Sequence, residues 1–114
     1  MNGEATAPLG TLTERLQLMR RSTSHEAEGG EVVSFSPFAT VWGRVRALTA
    51  RAAFAADARG QAITHSVVIR FRPDLRAGDR IVWRGTTLEV AHAADLDGRR
   101  AYLSCQCLEQ AVTG

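Results

Sequence analysis

The chain contains no lysine: all 14 basic residues are arginine, against 12 Asp and Glu, giving a formal net charge of +2. So slight an excess falls short of the strongly basic balance of a protein that holds nucleic acid by charge. Arginine-favouring codons explain the bias most simply. Its consequence is a surface of planar guanidinium forks, which tolerate partial burial at interfaces better than ammonium groups. Cysteine is scarce as well, with Cys105 and Cys107 the only two. Side chains two apart on a strand point the same way and are badly placed to bridge each other, and two thiols are too few for a structural zinc site. They read as small buried hydrophobes in a reducing compartment. Aromatics make up only 6% of the chain, with no clustered pair to stack single-stranded bases. No apolar run approaches the ~20 residues that cross a bilayer, and no basic-then-apolar leader opens the sequence. The expectation is a protein without a membrane role that works where it is made.

What is present is one modest core. At 114 residues and 45% hydrophobic content, a single domain would bury roughly 65% of its extended-chain surface. That excludes both a multi-domain enzyme with its own cofactor module and a disordered tail. Met1–Gly10, rich in small and polar residues without a period, predicts a flexible N-terminal arm, leaving 11–110 as the single domain.

Alternation then dominates. Leu12, Leu16 and Met19 have helical spacing, while Leu12, Leu16 and Leu18 share one strand face, so 11–21 stays ambiguous. Ser22–Glu31 is polar, ends at Gly29-Gly30 and predicts a loop. Val41, Val45 and Ala47 alternate with Trp42, Arg44 and Arg46 as in a strand. Leu48–Ala58 is alanine-rich and closes at Arg59-Gly60, a long excursion able to be loop or helix. In Ala62–Arg72, Ile63, His65, Val67, Ile69 and Phe71 line one face, before Pro73 ends the strand. Arg80–Trp83 and Thr87–Ala91 flank a hairpin at Arg84-Gly85. Asp95–Gly98 makes another turn, and Ala101, Leu103, Cys105 and Cys107 alternate through a last strand. The prediction is all-β: a small antiparallel barrel of about six short strands, its second half a meander, with one long loop between strands 2 and 3.

Chemistry-bearing constellations are few. Cys105 or Cys107 with His92 and Asp95 is the one imaginable nucleophilic set, yet neither thiol has the basic setting that would activate it. His65, on an apolar face, predicts a core histidine bonded to backbone or a nearby hydroxyl. Asp95-x-Asp97-Gly98 lacks the later glutamate of a calcium loop, and no glycine-rich phosphate loop is present. No catalytic residue, metal site or cofactor is therefore expected. Arg70, Arg72, Arg99 and Arg100 could meet phosphate without reading sequence, but Asp74, Asp79, Asp95 and Asp97 in adjacent turns suit protein–protein contacts better.

The run Ile63-Thr64-His65-Ser66-Val67-Val68-Ile69-Arg70-Phe71-Arg72, then Leu75 and Gly78, the hairpin through Gly85, and Asp95–Arg100 with Tyr102-Leu103 resembles the phage head–tail joining family. These are the head-closure, or stopper, proteins of long-tailed phages and gene transfer agents. Leu16-Gln17, Gly29-Gly30 and Val41–Val45 fall in the same order, so the resemblance spans about Leu12 to Glu109. It implies a non-enzymatic β-barrel forming a homo-oligomeric ring of six- or twelve-fold symmetry, assembled in the bacterial cytoplasm and sited in the virion neck. There it would join the adaptor and portal on the head side to the tail terminator and tail tube, around packaged double-stranded DNA. The family's channel-gating loop would fall on 47–62 and carry Arg51, Phe54, Ala55, Asp57, Arg59 and Gly60. Arg70, Arg72, Arg99 and Arg100 would serve a subunit or partner interface, or line the DNA channel. The chain departs from the commoner pattern in its alanine-rich loop and at Ser66 and Val67, where a basic residue is often found. The alternative is a small barrel that binds nucleic acid.

Overall fold

The computed structural model describes residues 12–49 and 60–111, and over them the period-two pattern becomes six strands and no helix. They are β1 (Glu14–His25), β2 (Glu31–Ala47), β3 (His65–Arg70), β4 (Arg80–Trp83), β5 (Thr86–Asp95) and β6 (Tyr102–Glu109). All pairings are antiparallel in the order β1-β2-β3-β6-β5-β4, and β4 returns to β1 through Gln17, Leu18 and Met19, closing the barrel. The expected meander needs one correction. β3 pairs with β2 and β6 rather than with β4, whose second neighbour is β1. Closure gives every strand a neighbour on both sides over at least part of its length, and that outweighs simple sequential pairing.

Five strands fill the interior with one face, through Leu16 and Leu18, Val67 and Ile69, Ile81, Leu88 and Val90, and Leu103, Cys105 and Cys107, and β2 packs Ala39, Val41 and Val45 against them. Each fully buried Leu, Ile or Val contributes about 1.5–3 kcal/mol. The ambiguous 11–21 segment is strand from Glu14 onward, with Leu16 and Leu18 fully buried on one face. Gly43 of β2 is where three strands crowd together. A Cβ there would lie 2.5 Å from Leu16 Cδ1, 2.9 Å from Ile69 Cγ2 and 2.9 Å from the Val68 carbonyl oxygen. At the β4–β5 hairpin Arg84 (φ 49°) and Gly85 (φ 81°) are both left-handed, as a two-residue turn matching strand twist demands.

The segment expected to be a loop, Ser22–Glu31, is mostly strand. β1 continues to His25 and β2 starts at Glu31, joined by a turn with Gly29 N–H on the Glu26 carbonyl at 3.0 Å. β4 covers β1 only at 17–19 and β3 covers β2 only at 43–47, so the hairpin runs on beyond the barrel as a two-stranded arm. Every residue from 21 to 34 is exposed. Both faces meet water, which removes the apolar alternation that marks a strand in sequence. The register shifts between Leu18 and Met19, leaving Phe38 as an extra residue at the arm's root. Pro37 is tolerated beside it because β2 there is paired on one side only.

Candidate functional site

Antiparallel closure sorts the connections to two opposite ends. The β1–β2 arm, residues 71–79 and residues 96–101 share one end. Residues 48–49 and 60–64, the Arg84-Gly85 turn, and residues 12–13 and 110–111 share the other. The two groups of expected site residues are thereby separated. Arg70, Arg72, Arg99 and Arg100 gather at the arm end, whereas Gly60, exposed with φ 83°, belongs to the connection at the opposite end. Arg51, Phe54, Ala55, Asp57 and Arg59 of the expected gating loop lie outside the described residues, as does the expected N-terminal arm.

At the arm end, the Phe71 N–H donates to the Ala101 carbonyl at 3.0 Å and ties the two arginine-bearing segments together. The Arg100 guanidinium stacks 4.9 Å from the Phe71 ring centre. The Arg100 N–H donates to both Asp95 carboxylate oxygens at 3.0 and 2.9 Å. Asp97 Oδ1 accepts from the Arg99 N–H at 3.2 Å, with Gly98 between them at φ 79°. Arg72 grips Asp74 through Nε at 2.6 Å and a terminal nitrogen at 2.9 Å. That paired hydrogen bond holds the Asp74 carboxyl below the usual carboxylate range and raises the Arg72 guanidinium in turn. Arg72 also shares the Phe38 ring with Arg20, at 5.6 and 4.5 Å from its centre. Arg70 is exposed on the outer face.

Asp79, expected in a turn beside the arginines, takes a further part. It is 2% exposed and holds the arm's root. Its carboxylate accepts from the Arg20 guanidinium at 2.8 Å, the Arg21 N–H at 3.1 Å and the Arg76 N–H at 3.0 Å. Arg20 also donates to the Asp74 carbonyl. Burying a carboxylate is costly without such partners. The Val90 N–H of β5 donates to the Asp79 carbonyl at 2.8 Å, and the Gly78 N–H donates back to the Val90 carbonyl at 2.8 Å. The arm, the 71–79 segment and the barrel wall are thus locked as one unit.

Between β2 and the end of β3 a crevice of about 490 Å³ opens, lined by Leu12, Val41, Trp42, Arg70, Phe71 and Arg72. Trp42 stands 59% exposed at its mouth. Sequence reasoning took Trp42 only as one face of a strand. The crevice forms because β2 and β3 part company at Gly43, a long-range event without a local signal. At the opposite end Glu14 accepts from Trp83 Nε1 at 2.8 Å and pairs with Arg84 Nε at 2.9 Å. His65 lies 5.9 Å edge-on from Trp83, its Nδ1 2.9 Å from the Thr64 hydroxyl, the core histidine bonded to a nearby hydroxyl that was expected.

The imagined nucleophilic set is not assembled. Cys105 and Cys107 point into the core at 0% exposure, and His92 lies exposed opposite Gln106. Burial pushes the Cys105 thiol up to about 12 and Cys107 well above its usual value, the reverse of what an attacking thiolate needs. Among the described residues no three His, Cys, Asp or Glu side chains come together to hold a metal.

A closed six-stranded barrel with a projecting hairpin and differently equipped ends defines a small all-β module whose notable features are surfaces. Comparison with known proteins then gives the family. The sequence pattern of the phage head completion protein family matches residues 7–110, and the chain belongs to that family. No curated protein matches it in sequence. Its fold is similar to the solution structure of protein SF1141 from Shigella flexneri 2a, with TM-score 0.73 and 22% identity over 94% of this chain and 100% of that one. It is also similar to a chain in the virion of a native gene transfer agent particle, with TM-score 0.68 and 22% identity over 90% and 97%.

Proposed function

We propose that this head completion protein is the closure, or stopper, ring of the particle neck. Copies surround the channel, one end meeting the portal or adaptor on the head and the other the tail terminator and tube. The work is mechanical rather than catalytic, and the complex assembles in the bacterial cytoplasm before residing in the virion. The observation that carries this reading is the two-ended barrel. A connector has to present different surfaces above and below and a third to its own copies, and here the arm and arginine cluster oppose the end at which β2 finishes and β3 begins. In this reading the 47–62 segment reaches into the channel and gates DNA, its small side chains allowing several copies to meet around a narrow axis. Arg70, Arg99 and Arg100 lie on a face offered to a neighbour, while Arg72 is already committed to Asp74 and Phe38.

The test is removal. Particles made without the chain should fill their heads and then lose DNA or fail to acquire tails. Deleting part of Ala50–Ala58 should leave a folded barrel by circular dichroism and produce the same leakage. Retention of DNA with that deletion would end the gating idea, and normal tailed particles without the chain would end the whole reading. Binding to double-stranded DNA should be weak at physiological salt; tight binding with a steep salt slope would favour the nucleic-acid module instead.

A further inference from the structure

We propose that the hairpin arm of one copy docks into the Trp42 crevice of a second copy. This rests on the ring reading and names the contact that would link its subunits. The two surfaces complement each other. From Ser22 to Gly43 the chain has no arginine, while Glu26, Glu28 and Glu31 stand at the arm's tip. Next to them Val32 and Val33 are 41% and 43% exposed. The crevice has the opposite character: an apolar floor of Leu12, Val41 and Phe71, the exposed Trp42 and Arg70 at its rim, and Arg44 exposed two residues along the same face of β2.

Backbone chemistry points the same way. Beyond Gly43 the β3-facing edge of β2 has no partner strand among the described residues, so it can accept an added strand. The arm is a two-stranded ribbon, marginal in water by itself, and an exposed valine pair on such a ribbon is costly unless a partner covers it. An acidic, apolar strand seated beside Trp42 would cover Val33, which shares a strand face with Glu31, pair the open edge and set carboxylates against Arg44 and Arg70. Arm and crevice are different patches, so the contact is head-to-tail, the type that closes into rings when its rotation allows.

Sedimentation velocity and light scattering of the full chain, taken to about 1 mM at low salt, test this directly. Association should grow with concentration and weaken as salt rises, because the rim charges are exposed. The E28R/E31R and R44E/R70E variants, all at exposed positions, should each lose association by about tenfold or more. An equimolar mixture of the two should recover it, since each reversed arm then meets a crevice of opposite sign. In a second readout V33C chains mixed with W42C chains should form a disulfide-linked dimer, the native thiols being buried. A chain monomeric throughout, or association unchanged by both reversals, overturns the proposal. Charge-complementary association without rings in particle necks would keep the contact and discard the ring reading. Rings insensitive to both reversals would do the opposite.

Discussion

Asp79→Ala removes the carboxylate that fastens the arm's root to the barrel. Three donors lose their acceptor at once: the Arg20 guanidinium and the N–H groups of Arg21 and Arg76. Hydrogen bonds to a charged group contribute about 1.5–3 kcal/mol each, and breaking a buried ion pair costs about 3–5 kcal/mol. Arg20 keeps a quarter of its side chain in water and retains Phe38 and the Asp74 carbonyl, so the lower figure applies. A loss of about 3 kcal/mol is a large part of the 5–15 kcal/mol that holds a typical domain. It corresponds to a urea midpoint lowered by about 2 M, or a melting temperature lowered by roughly 15 °C. The assay is urea unfolding followed by far-UV circular dichroism, with the slope compared between variants. Asp79→Asn, which keeps one acceptor oxygen, should fall about midway. A midpoint within about 0.5 M of wild type for Asp79→Ala would refute the view that this carboxylate anchors the arm.

The remaining predictions concern the barrel and its turns. Gly43→Ala forces a methyl against Leu16, Ile69 and the Val68 carbonyl and should cost about 1–3 kcal/mol in the same urea assay. Gly98→Val meets no neighbour but must hold a left-handed backbone, so its cost should be near 1–2 kcal/mol with the fold retained, and Gly98→Asn should be milder. Burial raises both thiols in the folded state, so their contribution to stability is complete below about pH 8.5 and declines as pH rises. Up to pH 11 the loss should approach about 1.4 kcal/mol per pH unit for each thiol, measured by urea midpoints, and C105A/C107A should flatten that slope.

Legibility in the sequence followed burial. Where one strand face is dry and the other wet, as in His65–Ile69 and Leu103–Cys107, alternation alone identified strand and inward face together. The Arg84-Gly85 and Gly98 turns were equally plain, because their backbone geometry restricts which residues fit. The arm was missed since Ser22–Ser34 is wet on both sides and carries no period. Asp79 looked like any turn carboxylate, for its Arg20 partner is 59 residues away. The pairing of β3 with β6 and the crevice beside Trp42 depend on how the sheet closes, which no local window contains. Four of the expected site residues did gather at one end, but Arg72 turned out to be bound into the fold by Asp74 and Phe38.

Cryo-electron microscopy of intact particles, with the neck reconstructed and this chain fitted into it, tests the central claim most directly. The account predicts a ring of barrels on the channel axis below the portal, with the 48–64 connection directed inward. A neck whose density is fully explained by other chains would contradict it.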